Sequence, residues 1–300
     1  MWFVNDQTGV SKLSNQQLAF YPSSMPGYSA SDIFIGSASD SVWMHDIYHR
    51  KLIVLLPGGE RKEYEDPDES LPGLARFVSA NKKWFTCGKF IYQVKLQPDN
   101  KHYSSRVYFG DSNNTMGFSC SAIDRNGNLV TVSDKLVVIT NNKILTAPVF
   151  SLVDQLAIDK ANRIWVVNRS NQLYCFQISG NDNSQLVLLR PYFSIVKGSP
   201  RSITADQSGN IWIGTRDQGL YCLHFNGLEL QSSKQVTMQN GLSENFISYL
   251  YCDKDNTIWA CTPSGLDRIK VANNNFLVEN ITRSSNLYYP ISKIQQTSKG

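Results

Sequence analysis

The stretch Asp206-Gln-Ser-Gly-Asn-Ile-Trp212 has two close copies in this chain and decides the fold class. The copies are Asp159-Lys-Ala-Asn-Arg-Ile-Trp165 and Asp253-Lys-Asp-Asn-Thr-Ile-Trp259, so the three tryptophans are spaced 47 residues apart. A weaker copy, Asp124-Arg-Asn-Gly-Asn-Leu-Val130, has valine at the tryptophan position. A fixed period of this length is typical of proteins built from repeated supersecondary units.

The tryptophan series continues toward the N-terminus. Trp84 precedes Val130 by 46 residues, and Trp43 and Trp2 each precede the next tryptophan by 41 residues. The six tryptophans and Val130 together mark seven repeats, with one of these residues in each repeat. We expect all six rings to be packed between repeats rather than presented to a ligand, since large aromatic side chains dominate protein cores.

The last full repeat shows what one unit contains. Four segments, 246–252, 257–262, 266–270 and 276–281, are rich in β-branched and aromatic residues or alternate apolar and polar residues, which predicts strands. The turn at 253–256 contains the Asp and Asn residues that favour tight turns. Four antiparallel strands joined by short turns, repeated without a helix, are typical of a propeller blade.

The two chain ends are complementary. The segment 291–297 matches the first strand of a repeat, and residues 2–5 match a second strand. The sequence therefore predicts one all-β domain over 1–300, a seven-bladed β-propeller of four-stranded antiparallel blades, closed by N- and C-terminal strands that share one blade. Such closure leaves no unpaired strand edge. A chain that starts on a second strand is also expected to be a fragment of a longer multidomain protein.

Composition and cysteine usage argue against several classes of protein. Charged residues make up 18% of the chain and the net charge is +4, which is too small to indicate a nucleic-acid-binding surface. There is no signal peptide and no apolar run of about 18 residues that would cross a membrane. The six cysteines form no CxxC pair and no zinc-ligand spacing, so we expect no metal and no cofactor. Cys175 and Cys222 occupy equivalent places in successive repeats, which are too far apart for a disulfide, so we expect free thiols.

Catalytic and metal-binding motifs are also missing from the sequence. The four histidines fall in separate segments, and there is no HExxH, GxSxG or phosphate-loop motif. Asp124, Asn126 and Asn128 have the alternate spacing that calcium loops use. They lack the distal bidentate glutamate of an EF-hand, so an ordinary hairpin turn is the favoured interpretation.

Several stretches resemble a known repeat. Asn240-Gly-Leu-Ser243 precedes a strand and the third tryptophan motif, and Ser264-Gly-Leu-Asp-Arg-Ile269 follows it. Together with Asp206-Gln-Ser-Gly-Asn-Ile-Trp-Ile-Gly-Thr215, these residues resemble the two-component regulator propeller repeat. Its pattern is N-G-L-S, a strand, D-x-x-G-x-[IL]-W-[IV]-G-T and then G-[GL]-[LN]-x-[RY]. The resemblance is strongest over 200–270 and is limited mostly to the tryptophan rhythm before Trp84.

The resemblance implies an extracytoplasmic sensor of a hybrid two-component system from Bacteroidetes. In such proteins two propellers and an immunoglobulin-like domain precede a membrane helix, a histidine kinase and a DNA-binding output, and the ligands are glycan fragments. It thus implies a periplasmic, non-enzymatic part of an inner-membrane-anchored homodimer. This part would bind an oligosaccharide, contact no nucleic acid itself, and pass its occupancy to the kinase.

The expected ligand face of a propeller carries the loops that lead into each inner strand and the loops that join the second and third strands. Arginine, aspartate and asparagine suit sugars, because they form bidentate hydrogen bonds with paired hydroxyl groups. Basic loops would also favour an acidic or sulfated glycan. The candidate ligand-binding residues are Tyr28, His45, Asp46, Arg76, Arg169, Asn171, Arg201, Arg216, Asp217, Gln218, Glu244 and Asn245.

Two other function classes remain open at the level of sequence. A propeller can host a polysaccharide lyase or hydrolase by collecting loop residues from several blades, and it can serve as a protein-interaction scaffold, because fold alone does not decide function. A membrane helix and a kinase encoded downstream in the full-length gene would favour the sensor. Turnover of a glycan would favour the enzyme.

Overall fold

The computed structural model describes residues 2–5, 9–14, 17–22, 33–35, 41–46, 51–56, 60–67, 76–79, 84–87, 90–110, 117–140, 143–149, 151–180, 185–272, 275–281 and 291–296. These residues form 28 strands, which pair into sheets of four strands each, and a 3₁₀ turn at Met238–Asn240. The strand pairs with assigned register are antiparallel, as in β10 (Phe90–Leu96) with β11 (Tyr103–Gly110). The prediction of an all-β fold built from four-stranded antiparallel sheets is confirmed.

The first of two compact units comprises Met1–Phe118 and Lys293–Gly300, and its strands form three sheets. In spatial order, sheet 1 contains β28 (Ile291–Gln295), β1 (Trp2–Asn5), β2 (Gly9–Ser14) and β3 (Gln17–Pro22); sheet 2 contains β4 (Ile33–Ile35), β5 (Val42–Asp46), β6 (Lys51–Leu55) and β7 (Arg61–Glu65); sheet 3 contains β8 (Arg76–Ser79), β9 (Trp84–Cys87), β10 and β11.

The second unit, Ser119–Ser292, contains four sheets whose spatial order of strands follows the chain. Sheet 4 contains β12 (Cys120–Ile123), β13 (Leu129–Val132), β14 (Lys135–Ile139) and β15 (Ile144–Pro148); sheet 5 contains β16 (Leu156–Ile158), β17 (Ile164–Val167), β18 (Gln172–Ser179) and β19 (Gln185–Phe193); sheet 6 contains β20 (Pro200–Ala205), β21 (Ile211–Thr215), β22 (Leu220–Asn226) and β23 (Glu229–Val236); sheet 7 contains β24 (Tyr249–Cys252), β25 (Ile258–Thr262), β26 (Gly265–Ala272) and β27 (Asn275–Asn280).

The tryptophan positions have the same place in every sheet. Each of the seven, including Val130, lies on the second strand in spatial order. The C-terminal strand β28 precedes the N-terminal strand β1 in sheet 1, as the complementary chain ends predict. The period read from the sequence therefore gives the correct second strand even in sheets 1 to 3, where the repeat motif is weakest.

Four of the described side chains at the tryptophan positions are buried between adjacent sheets. Trp165 lies in the apolar layer between sheets 5 and 6, where its ring centroid is 5.0 Å from that of Phe225. Trp212 lies in the layer between sheets 6 and 7, and Val130 in the layer between sheets 4 and 5. In the first unit, Trp43 belongs to the layer between sheets 2 and 3. These four pairs of neighbouring sheets are thus packed through apolar layers, and nearest-neighbour packing of this kind stabilises repeat proteins.

The expectation that tryptophan is core rather than ligand platform can be checked for four of the six rings. Trp43, Trp165, Trp212 and Trp259 are all buried. The side chains of Trp2 and Trp84 lie outside the described residues.

A single hydrogen-bonded turn explains the Asp-to-Trp spacing of the repeat motif. In sheet 6 the Asp206 carboxylate accepts the backbone N–H of Asn210 at 2.8 Å and the indole N–H of Trp212 at 2.9 Å. The residue three positions after the aspartate has positive φ, which is +92° at Gly209, so glycine or asparagine is favoured there. The same carboxylate–backbone bonds recur at Asp124, Asp159 and Asp253.

The Asn-Gly-Leu-Ser stretch is also explained by structure. Asn240 accepts the Thr237 N–H at 2.9 Å, and Gly241 follows with a φ of +104°. Ser243 then donates its backbone N–H and its hydroxyl to the buried carboxylate of Asp267, at 2.9 and 2.7 Å. The Ser-Gly-Leu-Asp stretch thus supplies the acceptor for the Asn-Gly-Leu-Ser stretch, which links the two ends of the repeat motif through one buried carboxylate.

The first strand of sheet 7 is shorter than the sequence predicts. The residue pattern predicts a strand over 246–252, whereas β24 covers Tyr249–Cys252. The Ile247 N–H donates instead to the Thr215 carbonyl of sheet 6 at 2.8 Å. These first residues therefore connect two sheets, which a strand pattern within one repeat does not indicate.

The five described cysteines are buried or partly buried. Cys120, Cys175, Cys222, Cys252 and Cys261 are free thiols, and the side chain of Cys87 lies outside the described residues. Burial raises the pKa of Cys175, Cys222 and Cys252 from 9.0 to about 12. Such thiols are protonated at neutral pH and behave as small apolar residues.

In the part of the chain that the structure describes, no helix has the length and apolar character needed to cross a membrane.

Candidate functional site

Three of the four candidate residues in the first unit fall at strand ends. His45 and Asp46 are the last two residues of β5, and Arg76 is the first residue of β8, although the sequence predicts loops at all three. Pairing with neighbouring strands extends the sheet to these positions, since the backbone of His45 pairs with that of Leu52 and the backbone of Arg76 with that of Thr86. The side chains of these three residues and the whole of Tyr28 lie outside the described residues.

Two asparagines among the candidates have structural partners. The Asn171 amide donates to the Val196 carbonyl and accepts the Val196 N–H at 3.3 Å, so it binds the loop before β20. Asn245 accepts the Met238 N–H at 3.0 Å through its side chain and the Gly219 N–H at 2.9 Å through its carbonyl. Both residues therefore shape loops, and their side-chain acceptors are already engaged.

Three charged residues come together beside the first strands of sheets 5 and 6. Asp154 accepts two hydrogen bonds from Arg169, at 2.8 and 2.5 Å, and one from Arg201 at 3.2 Å. The hydrogen bonds and the charge of Asp154 raise the pKa of Arg169, against the opposing effect of burial. The side chains of Arg169, Asp154 and Arg201 are 37%, 30% and 20% exposed, so the cluster is accessible to a ligand.

Gln155 extends this cluster to sheet 7. Its side-chain N–H donates to the Leu250 carbonyl of β24 at 2.8 Å, and its oxygen accepts the Ile203 N–H of β20 at 3.4 Å. One glutamine thus connects the first strands of three sheets immediately next to Asp154. Neither Asp154 nor Gln155 is among the candidates that the sequence suggests, although Asp154 stands 47 residues before Arg201 and so has the same place in its repeat.

Arg216 and Asp217 lie in the turn between the second and third strands of sheet 6. The Arg216 N–H donates to the Ser199 carbonyl at 2.9 Å, and the Asp217 carboxylate accepts the Ser199 N–H at 3.2 Å. Both side chains are exposed. Gln218, next in the same turn, donates its backbone N–H to Thr215 at 2.9 Å. This turn therefore presents one cation and one carboxylate beside the start of β20.

The corresponding corner of sheet 7 has a different chemistry. Glu244 accepts a hydrogen bond from the Ser264 hydroxyl, and the turn between its second and third strands begins with Pro263. We call the group Asp154, Arg169, Lys197, Arg201, Arg216 and Asp217 the arginine corner, which holds four cations and two carboxylates. Among the described corners of the second unit, positive charge is thus concentrated at sheets 5 and 6.

The chemistry of the described residues is that of binding through charge and hydrogen bonds. Among them, no group of three or more His, Cys, Asp or Glu side chains has a geometry that could hold a metal ion. Asp124, the residue with calcium-like spacing, accepts the N–H groups of Asn126 and Asn128 at 2.9 and 2.8 Å. It begins the hairpin turn between β12 and β13, in agreement with the interpretation of the sequence.

Comparison with protein families identifies the repeat. Residues 241–264 match the family model described as "Two component regulator propeller". The matched segment contains Ser243 and Asp253, which the structure shows as the hydrogen-bonded residues of the repeat. The resemblance inferred from the sequence is therefore confirmed. No curated protein sequence matches the chain.

Solved structures share the fold. The chain aligns over its full length with 48% of the extracellular domain of a protein described as a hybrid two component system from B. thetaiotaomicron, at 15% identity and a TM-score of 0.57. It aligns over 89% of its length with 37% of the extracellular domain of a protein described as a one component system from the same organism, at 17% identity and a TM-score of 0.59. The chain spans half or less of either domain.

An enzyme is also similar in structure. Virginiamycin B lyase from Staphylococcus aureus aligns with 85% of this chain over 85% of its own length, at 14% identity and a TM-score of 0.60. At sequence identities this low, the structural similarity shows only that the fold is shared, and the activity has to be argued from the site. The chain thus contains a segment that matches the two-component regulator propeller repeat, and it is similar in fold to these extracellular domains.

Proposed function

We propose that this propeller domain, which carries the two-component regulator repeat, is the extracytoplasmic ligand-sensing part of a hybrid two-component regulator and binds a glycan fragment. The observation that carries the proposal is the arginine corner, where Asp154, Arg169 and Arg201 meet on an accessible surface. A guanidinium group held in fixed orientation donates bidentate hydrogen bonds to the oxygens of acidic groups and sugar hydroxyls, and a carboxylate accepts hydrogen bonds from sugar hydroxyls. The match to the repeat family supports the signalling context.

The wider architecture belongs to the same proposal. The seven sheets would close into one seven-bladed ring over 1–300, with β28 and β1 in the closing blade. The domain would act in the periplasm, as part of an inner-membrane-anchored homodimer with a second propeller, an immunoglobulin-like domain and a histidine kinase. Ligand binding changes kinase activity only if the ligand has different affinities for the two states of that assembly.

Binding without turnover is the expected behaviour of the domain itself. The test is calorimetric titration with short neutral, uronic-acid-containing and sulfated oligosaccharides, combined with analysis of the recovered sugar. We expect one class of oligosaccharide to bind and to be recovered without cleavage. We expect the Arg216→Gln variant to bind it more weakly than wild type does. Arg190→Gln is the control, because Arg190 is an exposed arginine on β19 that pairs with Glu229.

Two outcomes would overturn the proposal. If no member of the panel binds the domain, the glycan assignment is wrong. If the sugar is cleaved and Arg216→Gln abolishes cleavage, the domain is an enzyme that shares its propeller fold with the Staphylococcus aureus lyase.

A further inference from the structure

We infer that Arg201 and Arg216 together bind one anionic group of the ligand, a carboxylate or a sulfate, at the sheet 6 side of the arginine corner. The inference rests on the proposed function, because it names the chemical class of the glycan. It is drawn from the way the repeat places charges in successive sheets.

Equivalent residues of the repeat form the same corner in sheets 5 and 6. In sheet 5 the Arg169 N–H donates to the Leu152 carbonyl at 2.8 Å, and in sheet 6 the Arg216 N–H donates to the Ser199 carbonyl at 2.9 Å. Ser199 lies 47 residues after Leu152, and Arg216 lies 47 residues after Arg169, so the two bonds are equivalent in the repeat. The same offset relates Asp154 to Arg201, and the pairing of Pro200 with Thr215 brings the backbones of Arg201 and Arg216 to the same end of β20 and β21.

The identities at this corner differ between sheets. The corner pair is Ser119 and Asp134 in sheet 4, Asp154 and Arg169 in sheet 5, Arg201 and Arg216 in sheet 6, and Ser248 and Pro263 in sheet 7. In the second unit, therefore, sheet 6 has two arginines at the two positions where sheet 5 has an aspartate–arginine ion pair. Two guanidinium groups at one corner repel each other unless an anion lies between them.

Arg201 has unused hydrogen-bonding capacity. Its bond to Asp154 is long at 3.2 Å, and that carboxylate is already bound to both nitrogens of the Arg169 fork. The Nε–H of Arg201 is buried without a hydrogen-bond partner among the described residues. An oxyanion bound at the exposed edge of the guanidinium would supply further acceptors for its Nη–H groups, since arginine offers five donors in a planar fork, and the Nε–H in the same conjugated group would report that binding.

The surrounding charges limit which anion fits. The exposed Lys197 adds positive charge at the loop before β20, whereas Asp154 and Asp217 add negative charge on either side. A group with a single negative charge and several oxygens meets both arginines with little repulsion from these carboxylates. Carboxylate and sulfate groups of acidic sugars have this chemistry, and neutral sugars do not.

The experiment uses small probes whose binding does not depend on the rest of the glycan. Side-chain Nε–H signals of ¹⁵N-labelled protein are followed by NMR during titration with glucuronate, glucose 6-sulfate and glucose. Arg201→Lys identifies the Arg201 signal by its disappearance. We expect one or both anions to shift this signal and glucose to leave it unchanged, and the two anionic arms separate carboxylate from sulfate recognition.

Variants distinguish a binding role from a structural one. Arg216→Gln is expected to weaken anion binding about 10- to 100-fold, the usual effect of losing a charged hydrogen bond. Arg190→Gln should leave it unchanged. Asp154→Asn should tighten it about five-fold, because it removes the carboxylate that competes for Arg201, whereas loss of a merely structural ion pair would not strengthen binding.

The outcomes separate this inference from the proposed function. If neither anion shifts the Arg201 signal, or if Arg216→Gln has no effect on the shift, the inference is wrong. In that case a neutral oligosaccharide that binds wild type and Arg216→Gln equally would leave the glycan sensor standing. Anion binding at this corner together with the absence of any oligosaccharide binding would instead support the anion site and overturn the glycan proposal.

Discussion

At the scale of single residues, one buried carboxylate explains why the repeat motif begins with aspartate. Asp253 accepts the N–H groups of Asp255 and Thr257 at 2.9 and 2.8 Å through Oδ1, and the Trp259 indole at 2.8 Å through Oδ2. Asparagine would present an N–H where an acceptor is needed, and glutamate would have to fold its longer side chain into the same turn. The tryptophan six positions later is thus specified by the aspartate as well as by the core.

Replacement of Asp253 by alanine should destabilise the domain strongly. It removes the Asp253 acceptor of the buried Thr257 N–H and of the buried Trp259 indole N–H, and each such loss costs about 1–3 kcal/mol. We expect the free energy of unfolding in urea to fall by about 3 kcal/mol. Asp255→Ala is the matched control in the same turn, because Asp255 is exposed and contributes its backbone N–H, which alanine retains. Equal losses for the two variants would contradict this account.

At the scale of the element, the hairpin turns need particular glycines for different reasons. Gly219 ends the turn between β21 and β22 with a φ of +74°, and a Cβ there would lie 2.3 Å from the Val236 carbonyl oxygen. Gly227, between β22 and β23, has a φ of +62°, and a Cβ would meet nothing within 4 Å. Both turns need left-handed backbone, and close packing against a neighbouring strand is added at Gly219.

Alanine at these two glycines should separate backbone strain from steric conflict. Left-handed backbone costs a residue with a Cβ about 1–2 kcal/mol, so Gly227→Ala should lower the free energy of unfolding by about that amount. Gly219→Ala should lower it by at least about 2 kcal/mol more, because the clash is with backbone and forces β22 and β23 apart. Urea denaturation of both variants measures the difference. A Gly227→Ala variant as unstable as Gly219→Ala would show that the clash contributes nothing.

At the scale of the whole molecule, the chain ends meet in one sheet. β28, from the C-terminus, borders β1, from the N-terminus, so sheet 1 is completed only when the last residues of the chain have been made. Without β28, one edge of β1 would be unpaired, and an unpaired strand edge invites association with other chains.

Removal of the C-terminal strand should therefore destabilise the protein and make it aggregate. We expect deletion of 291–300 to lower the melting temperature by at least about 5 °C and to produce soluble oligomers detectable by light scattering. The control is deletion of 297–300, which keeps β28 and should behave like wild type. If the longer deletion melts like the control and stays monomeric, the pairing of the chain ends does not matter for stability.

Whether a residue of the site could be predicted from the sequence depends on how far away in the sequence its hydrogen-bond partners lie. Arg169 and Arg216 are found from the sequence because loop positions can be located once the strands are known. Arg201 is also selected as a loop residue, but it is the second residue of β20, which begins earlier than the sequence predicts. Asp154 is missed, because its partners lie 15 and 47 residues away and nothing near it in the sequence marks it as part of a cluster. Asn171 and Asn245 are given binding roles by their position, whereas their side chains hold neighbouring loops.

The sequence alone determined the parts of this protein that depend on contacts within one repeat. The Asp-to-Trp turn closes within seven residues, so its recurrence predicted the four-stranded sheets, the second-strand position of every tryptophan and the partnership of the two chain ends. Only the tertiary structure decided what crosses between repeats: the bond from Ile247 to sheet 6, the reach of Gln155 to Leu250, and the shared carboxylate of Asp154. The physical reason is that a period fixes each residue's place in its own sheet, whereas charges and side-chain amides find partners according to which residues the neighbouring sheets bring within hydrogen-bond distance.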